Sequence, residues 1–159
     1  MTTTAQAERE YSMYEAVTEA AINKFAGERD PARRAELLDT MATEDEHQAR
    51  LHTAAFGPEP VPGEPGRDMS EALASCAVLH RAVAATERAL ATGQPRVPAT
   101  DPRIEEVGRE LLDQLATEPD PAKRAVLCTA LHDVVAPLVG ACAAMTLTGL
   151  AELYEEIAS

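Results

Sequence analysis

Three Asp-Pro pairs divide the chain and predict where its helices begin. They are Asp30-Pro31, Asp101-Pro102 and Asp120-Pro121. Aspartate is a preferred N-cap residue, and proline is tolerated in the first turn because the amide proton it lacks has no helical partner there. No segment shows the alternation of apolar and polar residues that a half-buried strand requires. The sequence therefore predicts an all-α protein.

The caps and the apolar periodicity together predict five helices, over residues 6–26, 31–55, 69–92, 102–117 and 121–157. Pro137 should bend or split the last of these, because it cannot donate a hydrogen bond to the preceding turn. Segments 57–67 and 93–101 are rich in proline or glycine and are predicted to be connecting loops. Since 159 residues fit one hydrophobic core, we expect 1–159 to form a single-domain antiparallel bundle of five or six helices.

A shift of ninety residues aligns segment 14–38 with segment 104–128. The two segments are identical at ten of twenty-five positions, and both are predicted to form a helix, a tight turn, an Asp-Pro cap and a second helix. Duplication of a helical hairpin accounts for this match. Convergence of capping residues in an alanine- and leucine-rich chain accounts for it equally well.

The composition limits both the core and the partners. Aromatic residues make up 3% of the chain and tryptophan is absent, so alanine, leucine and valine must fill the core, which favours closely packed helices. A formal net charge of -13 repels phosphate backbones, so nucleic-acid binding would lack its main electrostatic contribution. The same charge favours solubility or a basic partner surface.

Segment 134–151 contains eighteen residues without a charge, which is the lower limit for crossing a bilayer. Pro137 and acidic flanks without lysine or arginine disfavour membrane insertion, so we predict a central buried helix or a dimer seam.

Three cysteines cannot all pair within the chain, and no signal-like segment precedes the first helix. We therefore expect reduced thiols in a cytoplasmic protein.

Two Cys-x-x-x-His pairs are candidate metal ligands. Cys76 and His80 lie one helical turn apart, as do Cys128 and His132. Two such helices side by side could supply a tetrahedral Cys2His2 set for Zn or Cu. In the alternative interpretation the cysteines are small apolar residues, and the histidines lie at the edges of the core. On the last helix the apolar periodicity predicts a core face of Leu127, Leu131, Val134 and Leu138, with Cys128 and His132 at its border.

Two short motifs resemble parts of known families. The sequence LHDVVA, residues 131–136, resembles the phosphoacceptor box in the dimerisation helix of sensor histidine kinases, which would imply a phosphotransfer role for His132. The pair Glu44-x-x-His47 resembles the iron-ligand motif of ferritin-like carboxylate bundles, with Glu15 or Glu19 as further ligands. The second Glu-x-x-His motif of that family is missing, which favours a solvated acidic helix face.

No catalytic constellation stands out in the sequence. There is neither a Gly-x-Ser-x-Gly nucleophile elbow nor a glycine-rich phosphate loop. The function we predict is a non-catalytic cytoplasmic module that binds a protein partner or a small ligand through a helical groove, without nucleic acid, membrane or cofactor, and as a homodimer. The alternatives are a Zn or Cu protein that uses Cys76, His80, Cys128 and His132, and a phosphotransfer protein that uses His132.

Overall fold

The computed structural model describes residues 3–159, and within them the chain forms six α-helices and no strand. The helices are α1 (Thr4–Phe25), α2 (Pro31–Phe56), α3 (Met69–Thr92), α4 (Pro102–Leu115), α5 (Pro121–Val139) and α6 (Ala141–Ala158). The predicted all-α helical bundle is confirmed. The loops between α2 and α3 and between α3 and α4 also lie where the sequence predicted them.

The three Asp-Pro pairs begin helices as predicted. The carboxylates of Asp30, Asp101 and Asp120 each accept a hydrogen bond from the amide two residues later, at 3.0, 2.9 and 3.0 Å. In each case proline occupies the first turn of the helix. These caps fix the start of α2, α4 and α5 by local chemistry alone.

The predicted fifth helix is split at Gly140, and Pro137 lies inside the last turn of α5. Gly140 has a φ of 90°, which side-chain-bearing residues rarely adopt. Residues of the α2–α3 loop hold this junction: Glu64 accepts from the amide of Cys142 at 2.6 Å, and Arg67 donates to the carbonyl of Leu138 at 2.7 Å. The loop therefore caps the end of α5 and the beginning of α6 from outside both helices.

Four helices, α3 to α6, form a closed ring of contacts, and α2 and then α1 extend this group from α3. α1 packs against α2, α2 against α3, α3 against α6, α6 against α5, and α5 against α4, which also contacts α3. One hydrophobic core includes side chains from all six helices: Ala21, Leu38, Leu79, Leu112, Leu131 and Leu147. α4 approaches α5 closely at Gly108, where a Cβ atom would lie 2.8 Å from a methyl carbon of Leu131. In the part of the chain that the structure describes, no helix is long and apolar enough to span a bilayer.

The α1–α2 corner and the α4–α5 corner have the same local structure. The amides of residues 26, 27 and 28 donate to the carbonyls of residues 22, 24 and 25, and the amides of 116, 117 and 118 donate to the carbonyls of 112, 114 and 115. Segments 25–38 and 115–128 also have the same burial class at every aligned position. The aligned sequences therefore fold alike, while their origin by duplication stays a prediction.

Two details of the predicted α5 core face are wrong. Cys128 was placed at the border of the core, but it is fully buried. Val134 was placed inside the core, but it is 37% exposed, and Val135 is buried in its place. α5 is apolar on most of its surface, so its sequence alone does not indicate which face is covered by its neighbours.

Candidate functional site

A charged cluster lies at the centre of the bundle, between the two similar corners. Arg34 of α2 makes a two-pronged contact with Glu87 of α3, from its Nε and Nη2 atoms to the two carboxylate oxygens, both at 2.9 Å. Its Nη1 atom donates to the carbonyls of Glu28 and Arg29 at 3.3 and 2.9 Å. Arg34 therefore joins the α1–α2 corner to α3.

Arg124, ninety residues further on, has the equivalent role in the second corner. Its Nη1 atom donates to the carbonyls of Leu115 and Glu118. Its Nη2 atom lies 3.0 Å from Glu87 and donates to Thr86 and Tyr154 at 2.9 and 3.1 Å. One carboxylate thus faces both arginines.

Tyr154 completes this cluster from α6. Its hydroxyl donates to Glu87, and burial raises its pKa well above the ordinary value of 10.0, so the phenol stays protonated. The guanidinium carbon atoms of Arg124 and Arg34 lie 4.9 and 5.9 Å from the centre of its ring. These side chains are buried, and apart from Arg124 Nε each polar atom of the arginines, Glu87 and Tyr154 has a partner within the cluster or a carbonyl of a corner, so the cluster joins the two halves of the bundle.

The two residues of the first Cys-x-x-x-His pair, Cys76 and His80, have different polar partners. His80 contacts Asp45 of α2, with 2.7 Å between its Nδ1 atom and the carboxylate. Burial raises the pKa of the Cys76 thiol to about 11; a hydrogen bond with Thr146 of α6 lowers this pKa, and the nearby Asp45 and Cys142 raise it. Cys76 is therefore a protonated thiol at neutral pH.

In the second pair, Cys128 lies in the core and His132 is partly exposed. Burial raises the pKa of Cys128 to about 12. His132 remains 27% exposed, and its Nδ1 atom lies 2.9 Å from the carboxylate of the adjacent Asp133. Within residues 3–159, no three side chains of His, Cys, Asp or Glu lie close enough together to bind one metal ion. The four predicted ligands are therefore not brought together, and metal binding by them stays a prediction.

The predicted solvated acidic face on α2 is wrong. Asp45 is buried against His80, and the Glu44 side chain is only 12% exposed. The His47 ring lies 4.5 Å from the ring of Tyr14 on α1, and its Nδ1 atom is 3.7 Å from the Glu44 carboxylate. Glu15 and Glu19 are exposed on α1. These α2 residues therefore belong to the packing of α2 between its two neighbours.

An open pocket of about 570 Å³ lies at the α4–α5 corner. We call it the α4–α5 corner pocket, and it is lined by Gln114, Thr117, Glu118, Ala122, Lys123, Val126 and Leu127. Its apolar wall contains Val126, which is 68% exposed although it is an aliphatic residue on a well-packed helix. Lys123 and Glu118, 4.0 Å apart, supply a polar edge. An apolar wall with a few polar groups is the usual composition of a ligand pocket.

The α1–α2 corner contains an equivalent pocket of about 480 Å³, here called the α1–α2 corner pocket. Six of its seven lining residues stand ninety positions before residues that line the α4–α5 corner pocket. Leu37 corresponds to Leu127 and Arg33 to Lys123, but Glu36 occupies the position of Val126. The same local geometry therefore makes two similar pockets, and the α1–α2 corner pocket has more charged residues in its lining.

The sequence reasoning missed Arg34, Glu87, Arg124 and Val126. The sequence could have indicated Arg34 and Arg124, because the same residue occupies equivalent positions of the two aligned segments. Glu87 lies on a helix rich in alanine, where a buried acid and a solvated one look alike in sequence.

Comparison with protein-family models, curated proteins and solved structures finds no match for this chain.

Proposed function

We propose that this protein is a non-catalytic cytoplasmic module that binds an aliphatic group of a protein partner or small ligand in the α4–α5 corner pocket. The observation that carries this proposal is the exposure of Val126 in the wall of a 570 Å³ pocket. Exposed apolar surface framed by polar groups is typical of binding sites. Filling the pocket would remove this surface from water.

The state of the thiols supports a non-catalytic role. A nucleophilic cysteine requires a lowered pKa, but burial raises the pKa of Cys76 to about 11 and that of Cys128 to about 12. In the described part of the chain all three cysteines are free thiols. Free thiols agree with the proposed cytoplasmic location, where the glutathione pool keeps cysteines reduced.

Binding of the uncharged dye Nile red tests the pocket directly, because the dye's fluorescence rises on transfer from water to an apolar site. We expect the wild-type protein to bind one dye per chain. Val126→Glu should weaken this binding at least tenfold, since it places a charge in the apolar wall. Circular dichroism would establish that the variant remains helical.

Two further variants serve as controls. Val97 lies in the α3–α4 loop and is 70% exposed, so Val97→Glu makes the same chemical change at matched exposure outside the pocket. It should leave dye binding unchanged. Glu36→Val gives the α1–α2 corner pocket the aliphatic residue of its counterpart, and should add a second dye site. Equal binding by the wild type and Val126→Glu would contradict the proposal.

A further inference from the structure

We infer that the partner of the α4–α5 corner pocket is a basic amphipathic helix that lies along the groove between α4 and α5. This inference rests on the proposed function and names the chemistry of the partner. It depends on the apolar surface that continues beyond the pocket, on the charges beside it, and on the mismatch between this groove and a second copy of the chain.

The apolar surface continues from the pocket along both helices. On α4, Val107 and Leu111 share a face with the pocket residue Gln114, because they precede it by seven and three residues. On α5, apolar residues continue from Val126 through Ala130 to Val134, with the exposed carboxylate of Asp133 beside them. Val107 and Val134 are 43% and 37% exposed. At ~1.5 Å per residue, the α5 face extends about 12 Å, which accommodates two to three turns of a partner helix.

The charges beside this groove favour a basic partner. Glu110 is exposed on α4 one turn after Val107, and Asp133 is exposed on α5 next to Val134. The cations beside the groove are already paired, Arg103 with Asp101 at 3.0 Å and the pocket residue Lys123 with Glu118 at 4.0 Å. The chain as a whole has a formal net charge of -13. Lysine or arginine beside the apolar face of the partner would meet uncompensated carboxylates.

A second copy of the chain fits this groove poorly. The most apolar exposed stripe on another helix of the described residues runs along α1 through Met13 and Val17, which are 55% and 39% exposed. Glu15 and Glu19 flank that stripe. Placed in the groove, these carboxylates would face Glu110 and Asp133, and like charges brought together at an interface oppose association. A basic helix has no such conflict.

The test uses three synthetic helical peptides of equal length, titrated by calorimetry at physiological salt. The first has leucines at positions i and i+4 and lysines on the remaining surface, the second has glutamates in place of the lysines, and the third has serines in place of the leucines. We expect the first to bind one chain with at least tenfold higher affinity than either of the others. Val126→Glu should reduce this affinity at least tenfold, while Val97→Glu should change it less than twofold.

The possible results separate this inference from the proposed function. Equal affinity for the lysine and glutamate peptides, with dye binding still dependent on Val126, would overturn the basic partner and leave the pocket proposal standing. Equal affinity for the leucine and serine peptides would mean non-specific charge attraction and would overturn the helix in the groove. Self-association in sedimentation that Val126→Glu abolishes would assign the groove to a second copy instead.

Discussion

Arg34 and Arg124, ninety positions apart in the chain, contact the same carboxylate oxygen of Glu87 at 2.9 and 3.0 Å. Each arginine also donates to carbonyls of the corner that precedes its own helix. The two similar corners are therefore tied to one acidic side chain on α3. This arrangement makes the equivalent halves interdependent, because neither arginine is compensated by an acid of its own.

Glu87→Gln should destabilise the protein by about 3–5 kcal/mol, because it leaves two buried arginines without a counter-charge. Urea unfolding followed by circular dichroism measures this loss. Glu36→Gln is the matched control, since Glu36 is exposed on α2, and should change stability by less than about 0.5 kcal/mol. A loss below about 1 kcal/mol for Glu87→Gln would show that the cluster is not charged as described.

Asp30→Ala and Asp120→Ala should each cost about 1 kcal/mol through loss of the N-cap hydrogen bond. We expect equal costs, because the two caps have the same distance of 3.0 Å and nearly the same backbone angles. Thermal or urea unfolding of both variants gives the comparison. Clearly unequal losses would mean that the two corners differ in stability despite their common geometry.

Gly140→Ala should destabilise the protein by about 3 kcal/mol or more, because alanine is strained at a φ of 90° and its Cβ atom would meet the Glu64 carboxylate. Gly149→Ala is the matched control on α6. A Cβ atom at Gly149 meets nothing within 4 Å, so alanine should be neutral or stabilising in this helix. Equal melting temperatures for the two variants would contradict the described α5–α6 junction.

The stability of the protein should fall in acid partly through Glu105. Hydrogen bonds from Arg96 hold the pKa of this carboxyl at about 2, below its ordinary value of 4.5. A group whose pKa is lowered by folding stabilises the protein above its unfolded pKa, and this stabilisation is lost as the pH falls from 4.5 toward 2.

Between pH 5 and 2, we therefore expect the wild type to lose about 1–2 kcal/mol more of its unfolding free energy than Glu105→Gln does. Urea unfolding at a series of pH values measures the difference. Parallel curves for the two proteins would exclude a stabilising Arg96–Glu105 pair.

Zinc should leave the melting temperature of the wild type unchanged, because Cys76, His80, Cys128 and His132 are not gathered around one point. Four single replacements, Cys76→Ala, His80→Gln, Cys128→Ala and His132→Gln, should respond to zinc as the wild type does. Scanning calorimetry with and without zinc tests this. A zinc-dependent rise that any one of these replacements removes would support the predicted metal site, since a bound ligand stabilises the folded state alone.

The helices could be predicted from the sequence because their signals are local. An Asp-Pro pair caps the helix that follows it whatever the rest of the chain does, and Asp30, Asp101 and Asp120 all act in this way. The equivalence of the two corners was also visible, since the same residues at the same spacing make the same turn. The two connecting loops could also be predicted, because proline and glycine are frequent in these segments.

The tertiary structure alone decided which of these residues are paired, buried or left open. The α5–α6 junction at Gly140 is held by Glu64 and Arg67, which lie some seventy residues earlier in the chain. Glu87 is buried because arginines from two distant corners reach it, and no local pattern encodes that meeting. Val126 is exposed while Cys128 is enclosed because only one face of α5 is covered by its neighbours. Caps and turns depend on bonds between near residues, whereas pairing and burial depend on which distant surfaces meet.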